Sequence, residues 1–487
     1  MIVKRSFGIA IVLFWCLMNV LLLRRQLSAP PPPVLLSAAT AVTEPMEEWW
    51  GVYYRGEKIG YAAQTITPDA EGYRVRNSSI LKINLLGTVQ TVKVSLDMAA
   101  ARDWSLKHFD FDLQSSDVSF KARGKIVPGK LQLEMESAGQ RSDKELPMRQ
   151  PPYLLAALKP YVASQNFEPG KEHLFPTFDP STLSQQFTAV TVEGRERIAI
   201  GGKTEPALRI RQRFKGISVL SWVDRSGRTL KEETPTGLSL LRQSEEEAKL
   251  LEESRTLPLD LVVQTAVPVE TPIVKPAEKR FLKIRLSGFQ LGNFSLSGGR
   301  QRLQGDVLEI KREDLSRLRP HRIPIREPSL ASYLQSTPFL QSDHPQIRAL
   351  ARKVLGGETD GLRAAQRMRK WVYNGLAKVP TVSIPNALEV LQTRKGDCNE
   401  HAVLFNAMAR AAGIPAKTVV GVVYLRGAFY YHAWSEIWLG EWLALDPVLD
   451  QFPADVTHVK FLEGDIDRQI DILELIGKLK IEVLDAS

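Results

Sequence analysis

The stretch KGDCNEHAVLFNAMARAAGIPAKTVVGVVYL, residues 395–425, decides how the chain is read. Gly396 breaks any preceding helix, Asp397 is a favoured N-cap, and Glu400 completes a capping box, so a helix is expected from Cys398 onward. Ala402, Phe405 and Ala409 continue one apolar stripe beyond the cysteine, and Gly413 followed by Pro415 ends the helix. Cys398 is therefore expected in the first turn of a buried helix. Unpaired N–H groups and the positive end of the helix dipole there are expected to lower a thiol pKa. Most free cysteines are small buried apolar residues, so the thiol alone establishes no chemistry.

Two further stretches supply what a nucleophilic thiol needs. In AFYYHAWSEIWL, residues 428–439, period-2 alternation puts His432, Trp434, Glu436 and Trp438 on one strand face. In EWLALDP, residues 441–447, Trp442, Ala444 and Asp446 share a face. A hairpin turning about Leu439 pairs Glu436 with Trp442, Trp434 with Ala444, and His432 with Asp446, at ~4.5–5.5 Å between Cβ atoms. Alone, a strand histidine is ordinarily structural, and an aspartate before a proline ordinarily starts a turn. A thiol at a helix start, then a histidine, then a carboxylate across from it, is the order of nucleophile, base and orienting group.

Taken together, these three stretches resemble the catalytic core of the transglutaminase-like superfamily, over residues 340–447. The resemblance implies a papain-like α+β fold in which Cys398 is the nucleophile, His432 the general base and acid, and Asp446 the residue that orients the imidazole. It also implies a protein or peptide substrate, attacked at a carboxamide or peptide carbonyl to give a thioester. An amine would resolve the thioester by cross-linking, or water by hydrolysis, so the class spans protein-glutamine acyltransferase, cysteine peptidase and amidase. The competing reading is a non-catalytic envelope scaffold or peptide-binding protein that keeps the fold, against which the intact triad argues. For the oxyanion, the backbone N–H of Cys398 is a natural donor. Gln392 lies six residues earlier, but EVLQTRK reads as the end of an amphipathic helix. His401 shares the helix of Cys398 and is read as structural. Trp434 and Trp442 are expected either to wall the site and exclude water or simply to pack in the core.

The rest of the composition narrows the class. The chain has 487 residues, a net charge of +9, and basic residues interspersed with acidic ones, which speaks against nucleic-acid binding. Cys16 and Cys398 are the only cysteines, and the seven histidines are scattered, so neither a disulfide framework nor a metal site is expected. No cofactor and no calcium loop of EF-hand type are expected. Nothing in the pattern sets an oligomeric state.

Residues 1–25 read as a transmembrane anchor. Lys4 and Arg5 precede an unbroken apolar run at 6–23, about 27 Å long as a helix, which Arg24 and Arg25 close. The run is read as uncleaved, although AATA at 38–41 offers a late cleavage site. With the amino terminus inside, the bulk of the chain would be exported and periplasmic or extracytoplasmic. A Pro-rich spacer at 26–46 leads to a β-rich domain at 47–255, read as a large antiparallel sheet with one apolar helix inserted at PPYLLAALKPYVAS. A small β module or linker at 256–328 and a transglutaminase-like catalytic domain at 329–487 complete an α+β chain.

Overall fold

The computed structural model describes residues 42–487, save 116–117, 138, 149, 166, 215–216, 251–258 and 465. The anchor expected at 1–25 and most of the spacer at 26–46 lie outside the described residues. No helix among those described is long and apolar enough to cross a membrane.

From Met46 the alternating pattern becomes one antiparallel sheet. Its first strands are β1 (Met46–Tyr54), β2 (Glu57–Pro68), β3 (Gly72–Leu85), β4 (Thr88–Ala101), β5 (Leu106–Ser115), β6 (Val118–Val127) and β7 (Lys130–Ser137). Then follow β8 (Gln140–Pro147), β9 (Glu172–Asp179), β10 (Ser184–Ile200), β11 (Lys203–Phe214), β12 (Ile217–Val223), β13 (Thr229–Glu233) and β14 (Leu238–Gln243). Strands adjacent in sequence pair with each other, except that β8 and β9 are the two ends of the sheet. The sheet is thus two meanders joined where β1 runs against β14, with Trp49 opposite Gln243. The Arg55-Gly56 turn takes positive φ at both residues, the geometry that matches hairpin twist.

Helix α1 (Leu155–Ser164) fills the buried side of this sheet with Ala157, Leu158, Tyr161 and Val162. The same core takes Trp104, whose ring stacks on Tyr73 at 3.8 Å, and Phe109 against Phe178. Each such side chain contributes roughly 1.5–3 kcal/mol by leaving water.

The second half begins with β15 (Val267–Pro268), β16 (Phe281–Ser287), β17 (Gln301–Gln304) and β18 (Val307–Lys311). Helices α2 (Pro345–Leu355) and α3 (Gly361–Gly375) follow, then α4 (Ala387–Thr393) between the two-residue strands β19 (Ala377–Lys378) and β20 (Lys395–Gly396). Helix α5 (Cys398–Ala411) leads into β21 (Ala416–Leu425), β22 (Ala428–Trp438), β23 (Trp442–Leu445), β24 (Val459–Glu463) and β25 (Lys480–Ala486). β21 lies between β22 and β24, while β15 and β23 both pair with β22. The helices pack on this sheet through a core including Ile347, Met368, Leu388, Phe405 and Ile437. A smaller sheet, β17-β18-β16-β25, is joined to it through Leu282, Ile284, Leu308, Val422 and Phe461. The strands at 281–311 thereby share a sheet with residues near the far end of the second half.

The two halves are tied at the segment that leads to α5. Phe339 and Ile384 insert into the core of the long sheet. Gln90 on β4 donates to the carbonyl of Pro380, and its side-chain oxygen accepts from Ser115 and from the Val382 amide. Ser383 beside them donates to Glu400, which caps α5.

Candidate active site

The helix expected from the capping box forms at Cys398–Ala411, with both reciprocal bonds in place. Asp397 Oδ1 accepts from the Asn399 amide at 3.0 Å, and Glu400 Oε2 accepts from the Asp397 amide at 2.8 Å. The apolar stripe is wider than the sequence suggested. Residues 400–410 are buried all round, because α5 is enclosed by helices on one side and the sheet on the other. Two of its polar members donate inside: Asn406 to Thr418 at 2.9 Å, and Arg410 to the carbonyls of Gln335 and Ala416.

Cys398 is half-buried and unbonded to any other sulfur. Its sulfur lies against the backbone of Ala433, the residue after His432. The topology makes room for this contact. On that edge of β22, β15 pairs with residues 428–429 and β23 with residues 435–438. Between them, among the described residues, no strand covers 430–434, and the Ala433 N–H is left to face the sulfur. The lowered thiol pKa expected from the helix start is not what the surroundings produce. Burial, then the Asp397 carboxyl, push the Cys398 thiol well above its ordinary value, against the opposing bond from Ala433. These surroundings favour the neutral thiol over the thiolate.

His432 and Asp446 are brought together. His432 Nε2 donates to Asp446 Oδ2 at 2.7 Å, and both residues are buried. The hairpin that carries them has a different register from the one expected. Glu436 stands opposite Ala444 and Trp438 opposite Trp442, so the turn centres on Gly440 rather than Leu439. The shift is by two residues, which preserves which face each side chain takes, so Asp446 still reaches His432 as a diagonal neighbour. Because Nε2 holds the proton shared with Asp446, Nδ1 is the ring nitrogen that keeps its lone pair.

The Asp446 carboxylate accepts four hydrogen bonds from the described residues. Oδ1 takes the amides of Val448 and Leu449 at 2.7 and 2.9 Å, and Oδ2 takes His432 and a second ring, His458 Nε2, at 3.0 Å. Burial alone would raise this carboxyl, but the two histidines, His432 first, outweigh it and hold it far below the usual carboxylate range. His458 escaped the sequence reading. Its only signal is the run Asp455-Val-Thr-His458, an aspartate that caps its own turn just before β24, in which Thr457 bonds back to Asp455.

Of the other residues singled out from the sequence, Trp434 flanks the site: its ring is 6.2 Å from His432 and edge-on to His458 at 5.2 Å. Trp442 belongs instead to a cluster with Tyr333 and Trp438, under the Lys417 ammonium. Gln392 is exposed near the end of α4. His401 donates Nδ1–H to the Asp397 carbonyl at 2.7 Å, and burial lowers its affinity for a second proton, so it is a neutral structural ring. His432, Asp446 and His458 also place three metal-ligating atoms within 4.8 Å of one another, but the same atoms are already joined by hydrogen bonds.

Residues 348–447 match the family described as Transglutaminase-like superfamily. A relative from Haemophilus influenzae, named only as an uncharacterized protein, is 31% identical over 111 residues, which are 20% of this chain and 30% of that relative. This chain thus spans about a third of the length of the curated relative it matches. Among solved structures, a β-barrel-like protein from Brucella abortus is 10% identical at a TM-score of 0.32, covering 41% of this chain and 96% of its own. The periplasmic domain of TgpA from Pseudomonas aeruginosa is 17% identical at a TM-score of 0.23, covering 36% of this chain and 90% of its own. Residues 348–447, which hold the thiol, the imidazole and the carboxylate, form a domain of the transglutaminase-like superfamily.

Proposed function

We propose that this chain is a thiol enzyme that acts on protein or peptide amides through a Cys398 thioester. The observation that carries the reading is the 2.7 Å bond from His432 to buried Asp446, on the strand whose next residue touches the Cys398 sulfur. In the proposed cycle His432 Nδ1 takes the thiol proton as sulfur attacks the amide carbonyl carbon. The C–N bond breaks, and the leaving amine departs with the proton that His432 returns. An amine or water then adds to the thioester, giving its proton to His432. The C–S bond breaks, and the proton returns to sulfur. The backbone N–H of Cys398, at the helix start, is the proposed donor to the oxyanion. Asp446 keeps the imidazole in the required tautomer and balances the imidazolium charge. Export of the bulk of the chain, with a membrane anchor at 6–23, belongs to the same proposal and rests on the sequence of that segment.

Alkylation by iodoacetamide across pH, with adducts mapped by mass spectrometry, tests the reading. Cys398 should react near neutral pH in spite of its burial, and His432→Ala should remove that reactivity. A thiol that stays inert in the folded chain, or reacts equally without His432, sinks the enzyme reading. A glutamine peptide offered with a labelled amine, with ammonia and amine incorporation measured separately, then distinguishes transfer from hydrolysis.

A further inference from the structure

We propose that His458 is a positioning residue for this proton exchange: an imidazolium held between Asp446 and Asp455 that fixes the Asp446 carboxylate against His432 and takes up part of its charge. The proposal rests on His432 being the base.

The geometry dictates the protonation state. His458 Nε2 is 3.0 Å from Asp446 Oδ2, and its Nδ1 is 3.3 Å from Asp455 Oδ1. A neutral imidazole has one N–H and one lone pair, and the lone pair would face one of these carboxylates. With a carboxylate on each nitrogen, both must be donors, and the ring is a cation. His458 is fully buried, so an unpaired charge would be untenable, and the two carboxylates remove that difficulty from both sides. Burial works to strip the proton, yet the bonds to Asp446 and then Asp455 push its release up to about pH 9.

The far carboxylate is itself held firmly. Asp455 accepts from the Gln451 side chain at 2.9 Å and from the Thr457 amide at 2.8 Å, and burial is outweighed by His458 in keeping it ionised. Other charges near this end are engaged elsewhere. Arg300 donates to the carbonyls of Ala454 and Asp455 at 2.8 Å and pairs with Glu313, and Lys460 pairs with Glu436 at 2.9 Å. The rings of His432 and Trp434 complete the surroundings.

The consequence is a charge balance. Asp446, His458 and Asp455 together carry one net negative charge, which the proton taken by His432 neutralises. Without the His458 cation two negative charges would face His432. The proton would then be held more tightly and returned to the leaving group less readily. His458 thus tempers the carboxylate that orients the base.

The first test is made on the unsubstituted chain. Ring-nitrogen NMR should show His458 doubly protonated at pH 7.5, and a neutral tautomer there would overturn the proposal. The second test uses the pH profile of Cys398 alkylation by iodoacetamide in His458→Gln, which keeps a donor to Asp446 without the charge. The acid limb should move up by about one pH unit. Asp455→Asn, which removes one negative charge while Asp446 still holds the His458 cation, should move it down instead, a test that stands even if His458→Gln does not fold. A plateau that drops with no movement of the limb, or an unchanged profile, leaves His458 a mere structural neighbour and refutes the proposal. Failure of His432→Ala to alter alkylation would instead remove the enzyme reading, while the NMR result on His458 stands apart from it.

Discussion

Ser137, at the end of β7, donates its hydroxyl to the buried carboxyl of Glu389 on α4, across 252 positions of sequence. Asn386 binds the same carboxyl at 3.0 Å and the Ser137 hydroxyl at 3.0 Å, so one three-membered network joins the long sheet to the second half. Burial pushes the Glu389 carboxyl up to about 7 from 4.5. In the unfolded chain it ionises near 4.5, so between these values folding takes up a proton. Stability from this site is therefore greatest below about 4.5, falls as pH rises to about 7, and is level above, a loss of about 3 kcal/mol. Glu389→Gln should abolish that dependence and be the more stable protein at pH 8, as measured by urea unfolding across pH.

Asp446→Asn should cost on the order of 10²–10⁴-fold in the rate of thioester formation, by mis-setting the His432 tautomer. The same carboxyl contributes to acid stability. Its folded value is depressed, so its contribution is complete above its ordinary 3.8 and disappears as pH falls below that. Acid unfolding followed by circular dichroism should begin at a higher pH in the unsubstituted chain than its content of exposed carboxylates would require. That extra dependence should shrink in the variant.

Gly421 stands opposite His432 on β21, at the bulge where β21 meets β24. A Cβ there would lie 1.9 Å from the carbonyl oxygen of Val459, a backbone atom that cannot rotate away. Gly421→Ala should destabilise the chain by roughly 1–3 kcal/mol. The displaced start of β24 carries His458, so the variant should also lose the His458 contact to Asp446, seen as altered ring signals in NMR. Retention of both stability and signals would contradict this account.

Asp397→Ala removes the N-cap of α5 and should cost about 1 kcal/mol in denaturant unfolding. The same carboxyl helps to push the Cys398 thiol up, so its removal should also shift the pH profile of thiol alkylation to lower pH. Asp397→Asn, which keeps a cap, should recover the stability.

The helix start was legible because its signals are local: a breaking glycine, an N-cap and its reciprocal glutamate lie within five residues. Pairing His432 with Asp446 was legible for another reason. A two-residue error in the turn does not change strand faces, so the wrong register still put the right groups together. His458 was hidden because β24 reaches the site by pairing with β21, a long-range choice that no local pattern sets. The thiol's direction of shift was misjudged because a helix start is visible in sequence, while the enclosure of α5 and the carboxyl beside the sulfur are products of packing.

The arrangement of the long sheet bears on how quickly it can form. All of its ladders but one join strands that follow each other in sequence, so the chain can zip hairpin by hairpin with short loops to close. The exception is β1 on β14, which must wait until nearly the whole domain has been made and ordered. A circular permutant that links β14 to β1 and opens between β8 and β9 would turn the sheet into an uninterrupted meander, relieved of its one slow closure.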